Sequence, residues 1–256
     1  MNIFDQLITA GGKQASGLWR CTLGWAQEER PLSGVQKVVI ASTTDLVLCR
    51  GDMPRMLVAS EDPEWLHCIR TNIAGDNLRI EQDSVVVSRT VTKGAVREIT
   101  QTFYGAVHNI QGHHGSVQLG TVPGNFDLFV SNACNRSMVA IVLPNIAAIS
   151  IQGSADVTLF DLEQDELELK VSGSGDIEAS GQVQRLEIDI AGSGDVDVRE
   201  LVAQQADISV AGSGDVDAMV KQAVRVRVAG SGDVQIYGNP TQRDIRVSGS
   251  GDVRFQ

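Results

Sequence analysis

A tetrapeptide, Gly-Ser-Gly-Asp or a close copy, recurs six times toward the end of the chain, with its aspartate at Asp156, Asp176, Asp195, Asp215, Asp233 and Asp252. The gaps are 20, 19, 20, 18 and 19 residues. A period of this length belongs to stacked structural units. Aligned on the aspartates, the positions seven before are Ile149, Leu169, Ile188, Ile208, Val226 and Ile245, and those five before are Ile151, Val171, Ile190, Val210, Val228 and Val247. One residue after the aspartate come Val157, Ile177, Val196, Val216, Val234 and Val253, and three after it Leu159, Ala179, Val198, Ala218, Ile236 and Phe255. Positions between these columns, such as Glu187, Asp189 and Asp197, are polar. Each copy therefore alternates with period two on both sides of the motif, as strand, tight turn and strand.

A hairpin meander gives the same alternation but no reason for each unit to copy the one about 19 residues earlier. Coils stacked roughly 4.8 Å apart do, because equivalent residues then form ladders along the axis. The expected fold is all-β: a right-handed, single-stranded parallel β-helix or solenoid with rungs of about 19 residues, preceded by a less regular β-rich portion. The variable stretches, Glu200 to Ala206 or Gly238 to Thr241, are expected to be second turns that absorb length differences. With only 4% aromatic residues, the core is one of stacked aliphatics.

Placing Asp45 in the aspartate slot drops Val38, Ile40, Leu46 and Leu48 onto all four apolar columns, with Ser42-Thr43-Thr44 in place of the glycine-rich turn. A degenerate rung is thus expected near the N-terminus. The division that follows is a lead segment over 1–29, a first β-rich part with this rung and an irregular insertion over 30–145, and the repeat array over 146–256. Met56 to Ala59, Leu78 to Ile80, Phe126 to Val130 and Met138 to Leu143 read as strands, Asp62 to Ile69 as a helical turn, Gly75-Asp76-Asn77 as a turn, and Ser84 to Thr102 as a loose hairpin.

Of the net charge of −11, residues 150 to 256 hold 19 acidic and 9 basic side chains and so contribute −10. So acidic an array disfavours nucleic acid and anionic membrane, and favours cations or basic partners. No stretch approaches the length of apolar residues that spans a bilayer. Met1 to Arg20 lack a basic start followed by an apolar run, which predicts a cytoplasmic protein. Cys21, Cys49, Cys68 and Cys134 are scattered without a CxxC pair and read as reduced thiols.

Arg30-Pro31-Leu32-Ser33-Gly34-Val35 opening a strand, Gly51-Asp52 after it, the Ala74 to Ile80 stretch with its GDNLRI, Val142-Leu143-Pro144 before a rung, and the serial Gly-Ser-Gly-Asp together resemble the head GIN domain of autotransporter-adhesin type. The resemblance covers roughly Arg30 to Gln256. It implies a right-handed β-helix-like fold in a bacterial protein, usually exported, with an adhesin-like or polysaccharide-binding role. The chain departs from it in lacking an export signal and in a longer interval between Ser84 and Arg136.

Six stacked aspartates repel one another by about 1 kcal/mol per neighbouring pair in water. The expected offset is an Asx-type arrangement, each carboxylate accepting from backbone N–H groups of its own turn. The weaker alternative is a calcium-binding ladder of Asp156, Asp176, Asp195, Asp215, Asp233 and Asp252. Six near-identical carboxylates lack the asymmetry that paired acid–base catalysis requires. His108, His113 and His114 read as a polar loop tip, without enough further ligands nearby for a metal set. Neither a phosphate-binding loop nor a serine with a repeated histidine base is present.

The expectation is a non-enzymatic binding or scaffold module without cofactor, adhesin-like with a glycan or protein partner by resemblance. The alternatives are a cytoplasmic protein that self-associates through rung ends and, by analogy of fold, a polysaccharide-active enzyme. Middle rungs carry outward acids (Glu168, Glu178, Asp207, Asp217) and the last rungs arginines (Arg225, Arg227, Arg243, Arg246, Arg254). The edge of the last rung is expected to be paired in a homo-oligomer or covered by N-terminal residues.

Overall fold

Each repeat pairs in parallel with the repeat before it and the repeat after it, so the chain winds in coils along one axis. The computed structural model describes residues 24–83 and 136–256, with the backbone of four short strands between 85 and 104. The first part holds β1 (Ala26–Arg30), β2 (Lys37–Ala41), β3 (Asp45–Arg50), β4 (Arg55–Ser60), β5 (Ile69–Ala74) and β6 (Asn77–Gln82), with a 3-10 helix at Pro63–Cys68. The four short strands are β7 (Val85–Val87), β8 (Val91–Thr92), β9 (Ala95–Val96) and β10 (Thr102–Tyr104), paired antiparallel as β7 with β10 and β8 with β9. Next come β11 (Ser137–Leu143) and β12 (Ala148–Ile151), which lead into the array: β13 (Val157–Val171), β14 (Ile177–Gly192), β15 (Val196–Gly212), β16 (Val216–Gly230), β17 (Val234–Tyr237), β18 (Gln242–Gly249) and β19 (Val253–Phe255).

The C-terminal part is a parallel β-solenoid of about 5 turns. Its register is the one the aspartate alignment predicts: Val157, Ile177, Val196, Val216, Val234 and Val253 stack in one column. Ile149, Leu169, Ile188, Ile208, Val226 and Ile245 stack in another. All but the last member of each column are buried. The stretch Glu200 to Ala206 is not a turn. It continues β15 through a β-bulge and sends Leu201, Ala203 and Ala206 into the core. Leu167, Leu186, Ala206 and Val224 form a fifth buried column. Bulges between Leu159 and Leu162 and between Val198 and Val202 break the period of two on the stretch that follows the motif in β13 and β15.

The degenerate rung is present and sits directly on the array. Val38 and Ile40 of β2 pair with Ile149 and Ile151, and Leu46 and Leu48 of β3 pair with Val157 and Leu159. Beyond this rung the parallel order ends in antiparallel strands. On one side β6 runs parallel to β2 and β5 antiparallel to β6. On the other, β11 runs parallel to β3, β4 antiparallel to β11, and β1 antiparallel to β4. The strands expected at Met56–Ala59, Leu78–Ile80 and Met138–Leu143 are β4, β6 and β11, and Asp62–Ile69 holds the 3-10 helix. β11 is buried along its whole length because its outward residues Met138, Ala140 and Val142 join Val47, Cys49, Leu57, Ala59 and Phe160 in a second apolar cluster, with Trp25 packed against it. Phe126 to Val130 lies outside the described residues.

The glycines of the motif answer to the spacing of the coils. A Cβ on Gly192 would stand 2.2 Å from the Gly173 carbonyl oxygen, and one on Gly212 2.1 Å from that of Gly192. The second glycine is equally confined: a Cβ on Gly194 would stand 2.2 Å from the Gly175 oxygen. In each case the obstructing carbonyl belongs to the preceding coil. Among the described residues no earlier motif turn lies over Ser42 and Thr44, so the first rung turns without glycine; here Gln82 accepts instead from Thr43 Oγ1 at 2.9 Å and Thr44 Oγ1 at 3.4 Å. Gly212→Ala is expected to lower the unfolding free energy by about 3 kcal/mol, and Ser213→Ala at the exposed turn tip by under about 0.5 kcal/mol. Urea denaturation followed by circular dichroism measures both.

Candidate functional site

The turn places its aspartates in a row, but the carboxylates do not bond within their own turns as expected. Asp45 Oδ1 accepts from the Asp156 backbone N–H at 3.2 Å, and Asp156 Oδ1 from that of Asp176 at 3.3 Å. Asp176, Asp195, Asp215 and Asp233 accept from the next aspartate's N–H at 2.7 to 2.9 Å. At the end of the row Asp252 Oδ1 takes the N–H of Val253, its own neighbour, at 2.8 Å. Each backbone carbonyl works in the opposite direction, that of Asp195 receiving Ile177 N–H at 2.9 Å and that of Asp215 receiving Val196 N–H at 2.9 Å. The side chain thus supplies an acceptor where the turn would leave an N–H without one.

The same row holds its first member in a less polar setting. Burial, together with the charge of Asp156, pushes the Asp45 carboxyl above the usual carboxylate range, against the Asp156 N–H bond and Arg136, which lower it. Near the other end Asp217 is also raised, by burial and the charges of Asp197, Asp215 and Asp195, with Arg199 opposing. The Arg199 guanidinium bonds Asp197 and holds that carboxyl low.

Three carboxylates on neighbouring coils, Glu168, Glu187 and Asp189, bring one oxygen each within 4.8 Å of the others. Lys170 ion-pairs with Glu168 and lies 3.8 Å from Asp189, so one ammonium offsets part of the cluster's charge. His108, His113, His114, Cys21 and Cys134 lie outside the described residues. Cys49 and Cys68 are buried and outside any disulfide, and burial beside Asp161 pushes the Cys49 thiol up to about 11, which keeps it protonated.

A groove of about 630 Å³ runs across the coils from Lys37 to Asp244. Its floor is the fifth apolar column, and two rows of outward side chains flank it. One row, eight before the motif aspartates, is Lys37, Ala148, Glu168, Glu187, Asp207, Arg225 and Asp244; the other, ten before, is Glu166, Arg185, Gln205, Ala223 and Gln242. Ion pairs link adjacent coils along these rows: Arg185 with Glu166, and Arg225 with Asp207 at 3.0 Å and with Asp244 at 3.4 Å. The sequence exposes the first row as outward acids and arginines. It conceals the second, whose signal is the same repeat offset read on the far side of the hidden fifth column. A smaller notch of about 440 Å³ lies where β13 to β15 bend, between Phe160, Glu178, Ser180, Asp197 and Arg199.

Among the described residues no helix is long and apolar enough to cross a membrane. Residues 35–240 match the family described as "Putative auto-transporter adhesin, head GIN domain". Among solved structures, a "putative adhesin" from Bacteroides fragilis is similar with a TM-score of 0.61 at 16% identity, over 91% of this chain and 97% of that one. A "putative adhesin" from Parabacteroides merdae gives a TM-score of 0.49 at 13% identity, over 91% and 96%. A "Putative lipid binding protein" from Parabacteroides distasonis gives 0.44 at 15%, over 91% and 96%. No curated protein matches the sequence. At these identities the first likeness speaks for the fold.

Two outcomes follow from the aspartate row. Asp195→Ala removes the acceptor of the Asp215 N–H and is expected to cost about 1 kcal/mol, whereas Asp195→Asn keeps an oxygen there and relieves like charge, so its melting temperature equals or exceeds that of the wild type. Thermal unfolding of both variants checks this. For Asp45, a folded-state value above the unfolded one means that the ionised carboxyl destabilises the fold. Asp45→Asn is therefore expected to stabilise at neutral pH. The gain begins above about pH 4, the unfolded carboxyl range, grows through the raised folded value and is absent below, as urea titrations at several pH values show.

Proposed function

Because the chain belongs to the auto-transporter adhesin, head GIN domain family, we propose that it is a non-enzymatic, adhesin-like module that binds an extended polar polymer of a surface, a polysaccharide chain, along the axial groove. The observation that carries this is the repetition of the groove itself. Both walls present one side chain per coil, roughly every 4.8 Å, and all but Ala148 and Ala223 are polar, so an extended ligand meets a donor or acceptor at nearly every coil. Arg185, Gln205 and Arg225 offer donors, and Glu187 and Asp207 offer acceptors, above an aliphatic floor of Leu186, Ala206 and Val224. Pockets of this kind bind through a few placed polar groups over an apolar base.

The enzymatic alternative would draw on the Glu168, Glu187 and Asp189 carboxylates, of which Lys170 pairs with Glu168 and lies 3.8 Å from Asp189. An ammonium held between two of them supports binding over acid–base chemistry. An adhesin-like role also favours the cell surface over the cytoplasm.

Filling the groove tests the proposal. Gln205→Trp and Ala223→Trp are expected to weaken binding to immobilised surface polysaccharides at least about tenfold. Lys221→Trp, outside the groove, leaves binding unchanged, and all three melt like the wild type. Equal binding by the groove variants and the wild type contradicts it.

A further inference from the structure

The last coil leaves a sheet edge of unusual character. β18 pairs along one side with β16, and among the described residues no strand pairs with its other side. All eight of its residues are exposed. Ile245 and Val247 face inward and are 40% and 43% exposed, whereas Val226 and Val228 above them are at 0% and 2%. The edge contains neither proline nor bulge, the usual devices against edge pairing. At the opposite end, edge strand β1 is shorter and guarded by Glu28, Glu29 and Arg30, engaged in ion pairs with one another and with Arg55.

We propose that β18 is a self-association surface, on which a second copy of this chain pairs antiparallel about a two-fold axis through Ile245. The charges of the strand select this partner and this register. In a two-fold antiparallel pair, a residue and its opposite number lie at equal distances from the axis and point to the same face, so inward residues meet inward ones. Centring the axis on Asp244 sets two aspartates against each other, and centring it on Arg246 does the same with two arginines. Centring it on Ile245 sets Asp244 opposite Arg246 of the partner subunit twice over, places Ile245 against its own copy, and covers Val247 with the stem of the partner's Arg243. Opposite charges directly across strands stabilise, and like charges there destabilise.

Arg246 is poised for such a partner. It stacks beneath Arg227 in the coil above, is 73% exposed on its side chain, and lies 3.6 Å from Asp244 in its own strand. Arg243 is already drawn aside, its guanidinium 4.0 Å over the Phe255 ring and bonded to Asn239 and the Pro240 carbonyl. The inference is independent of what the groove binds, because assembly is measured without ligand. A tail-to-tail pair would present two grooves on one axis, which raises avidity for a long polymer.

The test is sedimentation of the full chain over a range of concentrations, with circular dichroism melts to confirm folding. The wild type is expected to dimerise, and Arg246→Asp or Asp244→Arg alone to weaken the dimer at least about tenfold. An equimolar mixture of the two variants restores it, since each then meets the opposite charge, and so does the double variant Asp244→Arg with Arg246→Asp. A wild type that stays monomeric, a dimer that survives Arg246→Asp, or a mixture that stays monomeric would overturn the proposal.

Discussion

Everything regular in this protein depends on how closely one motif turn rests on the next. The carbonyl oxygen of one turn lies where the following turn would carry a Cβ, at 2.1 Å for the pairs Gly192 and Gly212, Gly212 and Gly230, and Gly230 and Gly249. Only glycine permits that approach. The aspartate completes the contact by accepting the N–H of the next aspartate. Glycine therefore fixes the distance between turns and aspartate fills the hydrogen bond that the distance leaves open. The repeated like charge is tolerated because the carboxylates from Asp156 to Asp233 are bonded in this direction and stand exposed at the edge of the coil, where water screens them.

From that register the rest of the molecule follows outward. Coils held in step by their turns must align their inward residues, which produces one continuous aliphatic core from Leu78 and Val38 down to Ile236. They must equally align their outward residues. The two rows beside the groove and the ion pairs that step from coil to coil are consequences of the same alignment. The first rung, around Asp45, joins the ladder across 111 residues of chain, so the array and the antiparallel strands above it are consolidated together. Among the described residues no comparable bond closes the other end, where Ile245 and Val247 are exposed.

The aspartate spacing made four apolar columns and the remote rung at Asp45 legible, because strands without bulges keep a strict period of two. The fifth column, nine before the motif aspartates, keeps the period of two, but it starts at Ala147 and ends at Arg243 and so is less uniformly apolar than the four columns nearer the turn; the bulges between Leu159 and Leu162 and between Val198 and Val202 break the period elsewhere on the coil. The antiparallel strands β1 and β5 also went unread: Ala26–Arg30 is too polar to alternate visibly, and Ile69–Ala74 buries only its first residue fully. The motif's aspartates were rightly expected to be bonded to backbone N–H groups, yet the donor's place in the next coil depends on stacking distance and leaves no trace in one repeat. The groove's second row, Glu166, Arg185, Gln205, Ala223 and Gln242, shares no residue type that would mark its members as one row.

The central claim is that the motif aspartates bond from coil to coil. Residue-resolved amide hydrogen exchange of Asp195→Ala against the wild type tests it most directly. The account predicts that the Asp215 N–H loses protection while the Asp195 N–H, which donates to Asp176, keeps its own. Loss confined to the turn that carries the substitution, with Asp215 unchanged, would contradict it.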